Sequence, residues 1–158
     1  MTAIVCVSQN WGIGRDGALL FRISADLKRF KALTVGKTVI LGRKTLDTFP
    51  GGKPLKDRRN IVLSRRELDI PGAEISHSFE EAAALGGDDA IVIGGASVYM
   101  ALLSRCDRVY VTKVDAAPDA DSFFPNLDDN PDWRVASESE VFEENGLKFR
   151  FVDYVRNH

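Results

Sequence analysis

An acid stands in unusual company in the segment Ile23-Ser-Ala-Asp-Leu-Lys-Arg-Phe30. Ser24 is a favourable N-cap type, so the sequence predicts a helix over residues 24–33 with Asp26 in its first turn. At about 100° per residue, Phe30 and Leu33 fall within roughly 40° of Asp26, whereas Lys28 and Lys31 point away. A carboxylate inside an apolar arc is costly to bury unless a partner meets it. A first-turn acid also gains from the helix macrodipole, so the position reads either as a helix-start charge or as a ligand anchor.

A second kind of chemistry sits at the ends of apolar runs. Residues 38–41, 60–63 and 90–93 read as buried strands and run into Gly42-Arg-Lys-Thr45, Ser64-Arg-Arg66 and Gly94-Gly-Ala-Ser97. Glycines let a backbone approach a ligand closely, and the free amides of a following helix attract phosphate. Each ending alone reads equally as a turn or as solvated surface. Together, at strand ends where open α/β sheets bind ligands, they point to an extended polyanion. A dinucleotide with an extra ribose phosphate fits best, because basic groups accommodate a 2′-phosphate whereas an acid binds the free hydroxyl.

Other chemistries are poorly represented. Trp11-Gly-Ile-Gly-Arg-Asp-Gly17 carries glycines but leads into a loop, not into a helix, so it is not a dinucleotide fingerprint. No Gly-x-Ser-x-Gly elbow occurs. His77 and His158 are the only histidines, and neither has metal-ligand spacing to Cys or acidic residues, so no metal is expected and His77 reads as surface.

The elements that must position these residues follow a regular order. Residues 3–7 and 109–112 are further buried strands, and Ser78-Phe-Glu-Glu81 is a capping box opening a short helix stopped by Gly86 and Gly87. Another helix follows Ser97 and runs to about residue 103. After Pro125, a strand beginning at Trp133, an Asn145-Gly146 turn signal and a return strand over residues 147–155 read as a hairpin. The expected fold is α/β: a mostly parallel central sheet of about eight strands, flanking helices and a C-terminal antiparallel hairpin. With 158 residues, the chain is expected to form one domain over 1–158. A formal net charge of −2 argues against nucleic-acid or membrane-surface partners. No apolar run approaches the ~20 residues of a membrane span, and Cys6 and Cys106 read as free thiols, so a cytoplasmic protein is expected.

The chain resembles the dihydrofolate reductase family over essentially its whole length. The resemblance rests on an ordered set: Trp11-Gly-Ile-Gly14, Asp26-Leu27 with Phe30, Gly42-Arg43 with Thr45, Arg58, Ile93-Gly-Gly95 with Tyr99, Thr112, and Asp121 with Phe124-Pro125. It implies NADPH-dependent reduction of 7,8-dihydrofolate to tetrahydrofolate, with hydride transfer to pterin C6 and protonation of N5, supplying one-carbon metabolism. It also implies a monomer that binds dihydrofolate and antifolate inhibitors.

By the same resemblance, Asp26 accepts hydrogen bonds from the pterin ring nitrogen and 2-amino group, Thr112 bridges to it, and Phe21 completes the catalytic set. Asp26 is then too far from N5 for direct transfer, so a water delivers the proton. Leu27, Phe30, Phe49 and Leu55 pack on the substrate rings, although each also reads as core. Ile4, Val5, Cys6, Leu19, Ile93 and Tyr99 complete the implied substrate pocket, with the Ile4 and Ile93 carbonyls on the pterin edge. Arg58 clamps the glutamate α-carboxylate, a role suited to a planar guanidinium. On the cofactor side, Thr45 and the backbone of residues 94–97 (Gly94, Gly95, Ala96, Ser97) hold the pyrophosphate. Arg43, Ser64 and Arg65 surround the 2′-phosphate, with Lys44 either helping or solvated. Cys6, Ile13, Gly14, Gly17, Gly42, Leu63, Ile93, Val98 and Tyr99 complete the cofactor set, and segment 12–21 forms a lid.

The chain departs from the family pattern at Leu20-Phe21, where many members have Pro-Trp, and at Phe123, where a histidine is common in bacterial enzymes. The first change removes an indole N–H that would hold an ordered water; the second alters polar lid contacts. Two other readings stay open on the residues: a related reductase acting on another pteridine or a ribityl-aminopyrimidine, and a non-catalytic NADPH-binding module. Arg58 favours a glutamate-tailed folate over the former, and retention of Asp26 with its apolar cleft argues against the latter.

Overall fold

A computed structural model describes residues 1–157; His158 lies outside the described residues. In chain order the elements are β1 (Thr2–Val7), β2 (Gly12–Arg15), β3 (Ala18–Leu19), α1 (Ser24–Thr34), β4 (Thr38–Gly42), α2 (Arg43–Leu46), β5 (Arg59–Leu63) and β6 (Ala73–Ser76). They continue with α3 (Phe79–Gly86), β7 (Ile91–Gly94), α4 (Ala96–Leu102), β8 (Arg108–Val114), β9 (Ser122–Phe123), β10 (Trp133–Glu138), β11 (Phe142–Glu144) and β12 (Leu147–Arg156).

Among the described residues, nine strands form the main sheet in the order β10-β12-β8-β1-β7-β4-β5-β6, with β11 paired to β12. From β8 to β6 the neighbours are parallel. Strand β12 runs antiparallel to β8, β10 and β11. The parallel strands are covered on both faces, which is why they read as unbroken apolar runs. Alternation assigns their residues to two cores. Ala3, Val5, Val7, Ile40, Ile61 and Val92 pack with Ala82 and Ala83 of α3 and with Val98, Tyr99 and Leu102 of α4. Ile4, Val39, Leu41, Val62, Ile91 and Ile93 face the other way, toward Phe30 and Leu33 of α1. Chain order reverses at β1, with β7 entering on one side and β8 on the other. The strand carboxyl ends there form the crevice that open α/β sheets use for ligands.

Four local features differ from the sequence reading. The glycine-rich segment 12–19, a loop by sequence, folds as the hairpin β2–β3 and joins β9 in a second, three-stranded sheet. Its turn is Asp16-Gly17, both at positive φ (51° and 79°), flanked by the Arg15–Ala18 pair, which is the two-residue hairpin that an Asp-Gly dipeptide encodes. Strand β6 emerges from an extended segment too short and mixed to declare itself. The Asn145-Gly146 turn, at φ 52° and 81°, joins β12 to the short β11, while β10 pairs with the far half of β12. Ser24 does not cap α1: the N-cap is Ile23, which makes no side-chain capping bond. Ser78 does cap α3, accepting the Glu81 amide at 3.0 Å; the Glu81 carboxylate returns to the amide of His77, one residue before the cap.

Asn60, by sequence the first residue of a buried strand, is buried at 1% exposure and organises the loop before β5. Its side chain accepts from the Leu55 amide at 3.0 Å and donates to the carbonyls of Leu55 and Arg58 at 2.9 and 3.0 Å. Replacing Asn60 by Ala strands those groups, and a loss of about 1–3 kcal/mol in unfolding free energy is expected from denaturant titration. A change below about 0.5 kcal/mol would mean the loop satisfies itself without Asn60.

Candidate active site

Asp26 lies in the first turn of α1, half-buried against the carboxyl ends of β1 and β8. Thr112 of β8 is 2% exposed, and its hydroxyl donates to the Asp26 Oδ1 at 2.5 Å. Thr112 pairs in register with Cys6 of β1, so both side chains leave the same face of the sheet, toward Asp26. Burial is the largest influence on Asp26 and holds its carboxyl above the usual range; the Thr112 hydroxyl, the Arg29 charge and the Cys6 thiol pull in the opposite direction. Arg29 is itself fixed by Asp153 at 3.0 Å and stacks over Phe151 at 4.5 Å. The helix presents the face expected: Phe30 and Leu33 turn inward while Lys28 and Lys31 are exposed.

Beside Asp26 the cleft is apolar. Phe30, Leu33, Phe49 and Leu55 pack on Ile4 and Ile93, and Phe21 packs on Ile23, Val114 and Phe149 on the other side. Val5 is buried behind the strand surface, while Leu19 and Leu27 are about half exposed. Tyr99 donates to the Ile4 carbonyl at 2.5 Å from a fully buried phenol, which burial keeps protonated. Arg58 stands at the far end of α1, where its Nη1 donates to Thr34 Oγ1 at 3.0 Å and its Nε to the Lys56 carbonyl at 2.8 Å. Thr34 lies eight residues beyond Asp26, about 12 Å along the helix axis. The anchored guanidinium and the carboxyl therefore bracket an elongated cleft.

A groove of about 1370 Å³ runs along the other side of the strand ends. Ile13, Gly14, Gly17 and Leu19 border it at one end; Gly42, Arg43, Lys44 and Thr45 form one wall; Gly95, Ala96, Ser97 and Val98 form another; Leu63, Ser64 and Arg65 close the far end. Cys6, Ile93, Gly94 and Tyr99 are not on its wall. The Gly94–Gly95 peptide is cis, with Gly94 at φ 138°. A Cβ on either glycine would stand 3.2 Å from the Thr45 hydroxyl, tighter than ordinary contact, so the two glycines let this backbone lie close against the Thr45 side chain. Among the described residues, five basic side chains, Arg15, Arg43, Lys44, Arg65 and Arg66, line the groove against a single carboxylate, Asp47, already paired with Arg43. An extended phosphorylated dinucleotide meets the charge, the length and the glycine backbone it needs. His77, read from sequence as surface, lies on this wall with Nδ1 2.9 Å from the Ser64 carbonyl.

The β2–β3 hairpin overhangs the groove and is tied to the β9 segment. Asp121 donates its amide to the Gly14 carbonyl at 3.0 Å and accepts the Asp16 amide on its carboxylate at 2.9 Å. Arg15 reaches Asp119 at 3.1 Å, and the Phe124 amide donates to the Trp11 carbonyl at 2.9 Å.

Comparison with known proteins agrees with this geometry. The dihydrofolate reductase family model matches residues 1–156. The chain belongs to the dihydrofolate reductase family. It is 38% identical to the dihydrofolate reductase of Neisseria meningitidis serogroup B over 99% of this chain and 98% of that protein. It is 37% identical to that of Mycobacterium tuberculosis H37Rv over 92% and 91%. The solved structure of dihydrofolate reductase from Enterococcus faecalis complexed with NADP(H) and RAB-propyl superimposes with a TM-score of 0.88 at 30% identity, covering 99% of this chain and 96% of that one. As a dihydrofolate reductase, this chain is an NADP-dependent oxidoreductase that reduces dihydrofolate to tetrahydrofolate. No helix among the described residues is long and apolar enough to cross a membrane.

The hairpin ties carry a prediction. Asp121→Ala removes the carboxylate that accepts the Asp16 amide while leaving the Asp121–Gly14 backbone bond. This contact is exposed, so turnover is expected to fall only about two- to tenfold, with folding stability nearly unchanged. Wild-type turnover in this variant would show that the hairpin holds its place without the carboxylate.

Proposed function

We propose that Asp26 is the proton-handling carboxyl of the reductase and that Thr112 positions it. The observation that carries this reading is the half-buried Asp26 carboxyl, held above its usual range by burial and contacted by the Thr112 hydroxyl at 2.5 Å. NADPH supplies the hydride to pterin C6. Asp26 accepts from the pterin ring nitrogen and 2-amino group, which gives the desolvated acid the partner it lacks. A water carries the proton to N5.

The surrounding residues divide the remaining work. Phe30, Phe49, Leu55 and Leu27 hold the rings, the Ile4 and Ile93 carbonyls meet the pterin edge, and Val5, Cys6, Leu19 and Tyr99 close the pocket. Phe21 excludes water from the reacting centre. Arg58, its plane set by Thr34 and Lys56, clamps the glutamate α-carboxylate. Arg43, Ser64 and Arg65 recognise the 2′-phosphate with help from Lys44, and Thr45 with residues 94–97 cradles the pyrophosphate. Ile13, Gly14, Gly17, Gly42, Leu63 and Val98 complete the groove. The protein works as a single-domain monomer with small-molecule ligands, antifolate inhibitors among them, and is cytoplasmic.

Asp26→Asn keeps the shape but removes the charge, so kcat/KM for dihydrofolate at pH 7 is expected to drop at least about tenfold. The deficit should shrink at acid pH, where the substrate is already protonated. Stability should move the other way. A carboxyl whose folded pKa is raised contributes stability that is complete below the unfolded pKa and lost as pH rises through the folded one. At neutral pH the neutral Asn therefore removes a cost, and a higher Tm is expected. Near-wild-type activity at pH 7 would remove Asp26 from the mechanism.

Arg58→Lys cannot reproduce a two-pronged carboxylate grip, so dihydrofolate binding should weaken by about 1.5–3 kcal/mol while a tail-less dihydropterin is hardly affected. Equal losses for both ligands would reopen the question of what Arg58 holds. Replacing Arg43 and Arg65 together by Ala should raise KM strongly for NADPH and little for NADH, since only one cofactor carries the lost contact. Parallel losses would assign those arginines to folding.

A further inference from the structure

Helix α1 begins without a local cap. Its N-cap residue, Ile23, is extended (φ −117°, ψ 120°) and has no side-chain acceptor for the first turn. The core dictates that choice: Ile23 is 2% exposed and packs with Val114 and Phe149. Ser24 sits one place too late, at the first helical position. Without another acceptor, the amides of the first turn would be orphans. Both the Ser24 and Ala25 amides instead donate to one carboxylate, that of Glu144, at 2.6 and 3.2 Å. Glu144 ends β11, 120 residues further along the chain and just before the Asn145-Gly146 turn. These backbone donors hold its carboxyl below the usual range, as expected for a charged acceptor.

Asp26 is the residue that follows the second capped amide. We propose that Glu144 is a positioning residue for Asp26: its grip on the two amides fixes where α1 starts, and hence how Asp26 meets Thr112. The inference rests on the role given to Asp26 above. The groups that face Asp26 are Thr112 from β8, Cys6 from β1, Arg29 from α1 itself and the neutral Tyr99 from α4. Glu144 adds a negative charge at the positive end of the same helix. That charge cancels part of the field that favours an ionised Asp26, so it strengthens the hold of Asp26 on its proton. A cap drawn from the distant hairpin thus links the last strands of the fold to the proton-handling group.

The test measures kcat and KM for dihydrofolate across pH at saturating NADPH in Glu144→Ala, Glu144→Gln, Ser24→Pro and the Ser24→Pro/Glu144→Ala double variant. Proline suits the first helical position, and the extended Ile23 suits the residue before it, so Ser24→Pro deletes one of the two backbone donors, together with the Ser24 hydroxyl that also faces Glu144, without breaking the helix. Glu144→Ala is expected to raise KM about three- to tenfold and to lower the midpoint of the kcat/KM pH profile by about 0.2–0.7 pH unit. Glu144→Gln, an uncharged acceptor, should recover most of the KM but keep the lowered midpoint. In the proline background the effect of Glu144→Ala on KM should fall to about half. An unchanged KM and midpoint in Glu144→Ala, with or without a lower Tm, overturns the proposal, as does an equal Glu144→Ala effect in both backgrounds. Asp26→Asn run alongside separates the two claims. If it is impaired while Glu144→Ala is not, only Glu144 loses its role; if it is unimpaired, the role of Asp26 itself fails.

Discussion

The contest between burial and hydrogen-bond donors at one carboxyl governs the pocket. Burial drives Asp26 toward its neutral form; the Thr112 hydroxyl, the Arg29 charge and the Cys6 thiol draw it back toward the ion. Each of those groups depends on a different element. Thr112 and Cys6 are brought side by side by the parallel register of β1 with β8. Arg29 reaches the site from one turn further along α1 and is steadied by Asp153 of β12. The balance therefore requires the helix and three neighbouring strands to meet correctly, and an acid on a free amphipathic helix would have none of it.

The same crevice separates two recognition problems. On one side of the strand ends an apolar cleft runs from Asp26 to Arg58. On the other, glycine backbone and basic side chains line a long groove suited to an anionic cofactor. The division comes from chain order, because reversal at β1 leaves a gap beyond the carboxyl ends of β1 and β7. Where the β7 backbone passes Thr45, Gly94 and Gly95 avoid the tight contact that a side chain would make with the threonine hydroxyl.

Much of this was legible as sequence because it rests on local patterning. The apolar runs of β1, β4, β5 and β7 announced a sheet covered on both faces, and Ser78 announced the start of α3. The 3.6-residue arc placing Asp26 with Phe30 and Leu33 survived intact. Other features were hidden because their causes are long-range. Ile23 displaces Ser24 from the cap position because the core needs an apolar side chain there, and the replacement cap arrives from Glu144. Asn60 looks ordinary until the folded loop presents Leu55 and Arg58 to its amide. The hairpin of β2 and β3 is a different case: Asp16-Gly17 carried a usable turn signal, outweighed by the neighbouring glycines. His77 reaches the groove only because β6 lies beside β5 and brings it to the Ser64 carbonyl.

Keeping a carboxyl ionisable in an apolar cleft sets stability against function, a recurrent feature of active sites. The most direct test of this account is the titration of the Asp26 carboxyl carbon, followed by carbon-13 NMR in the wild-type protein and in Thr112→Val. The wild-type midpoint is expected above the ordinary aspartate range, and higher still in Thr112→Val, because the valine removes a donor that favours the ion. An ordinary aspartate midpoint in the wild type, or one that stays put or falls when Thr112 is replaced, would contradict it.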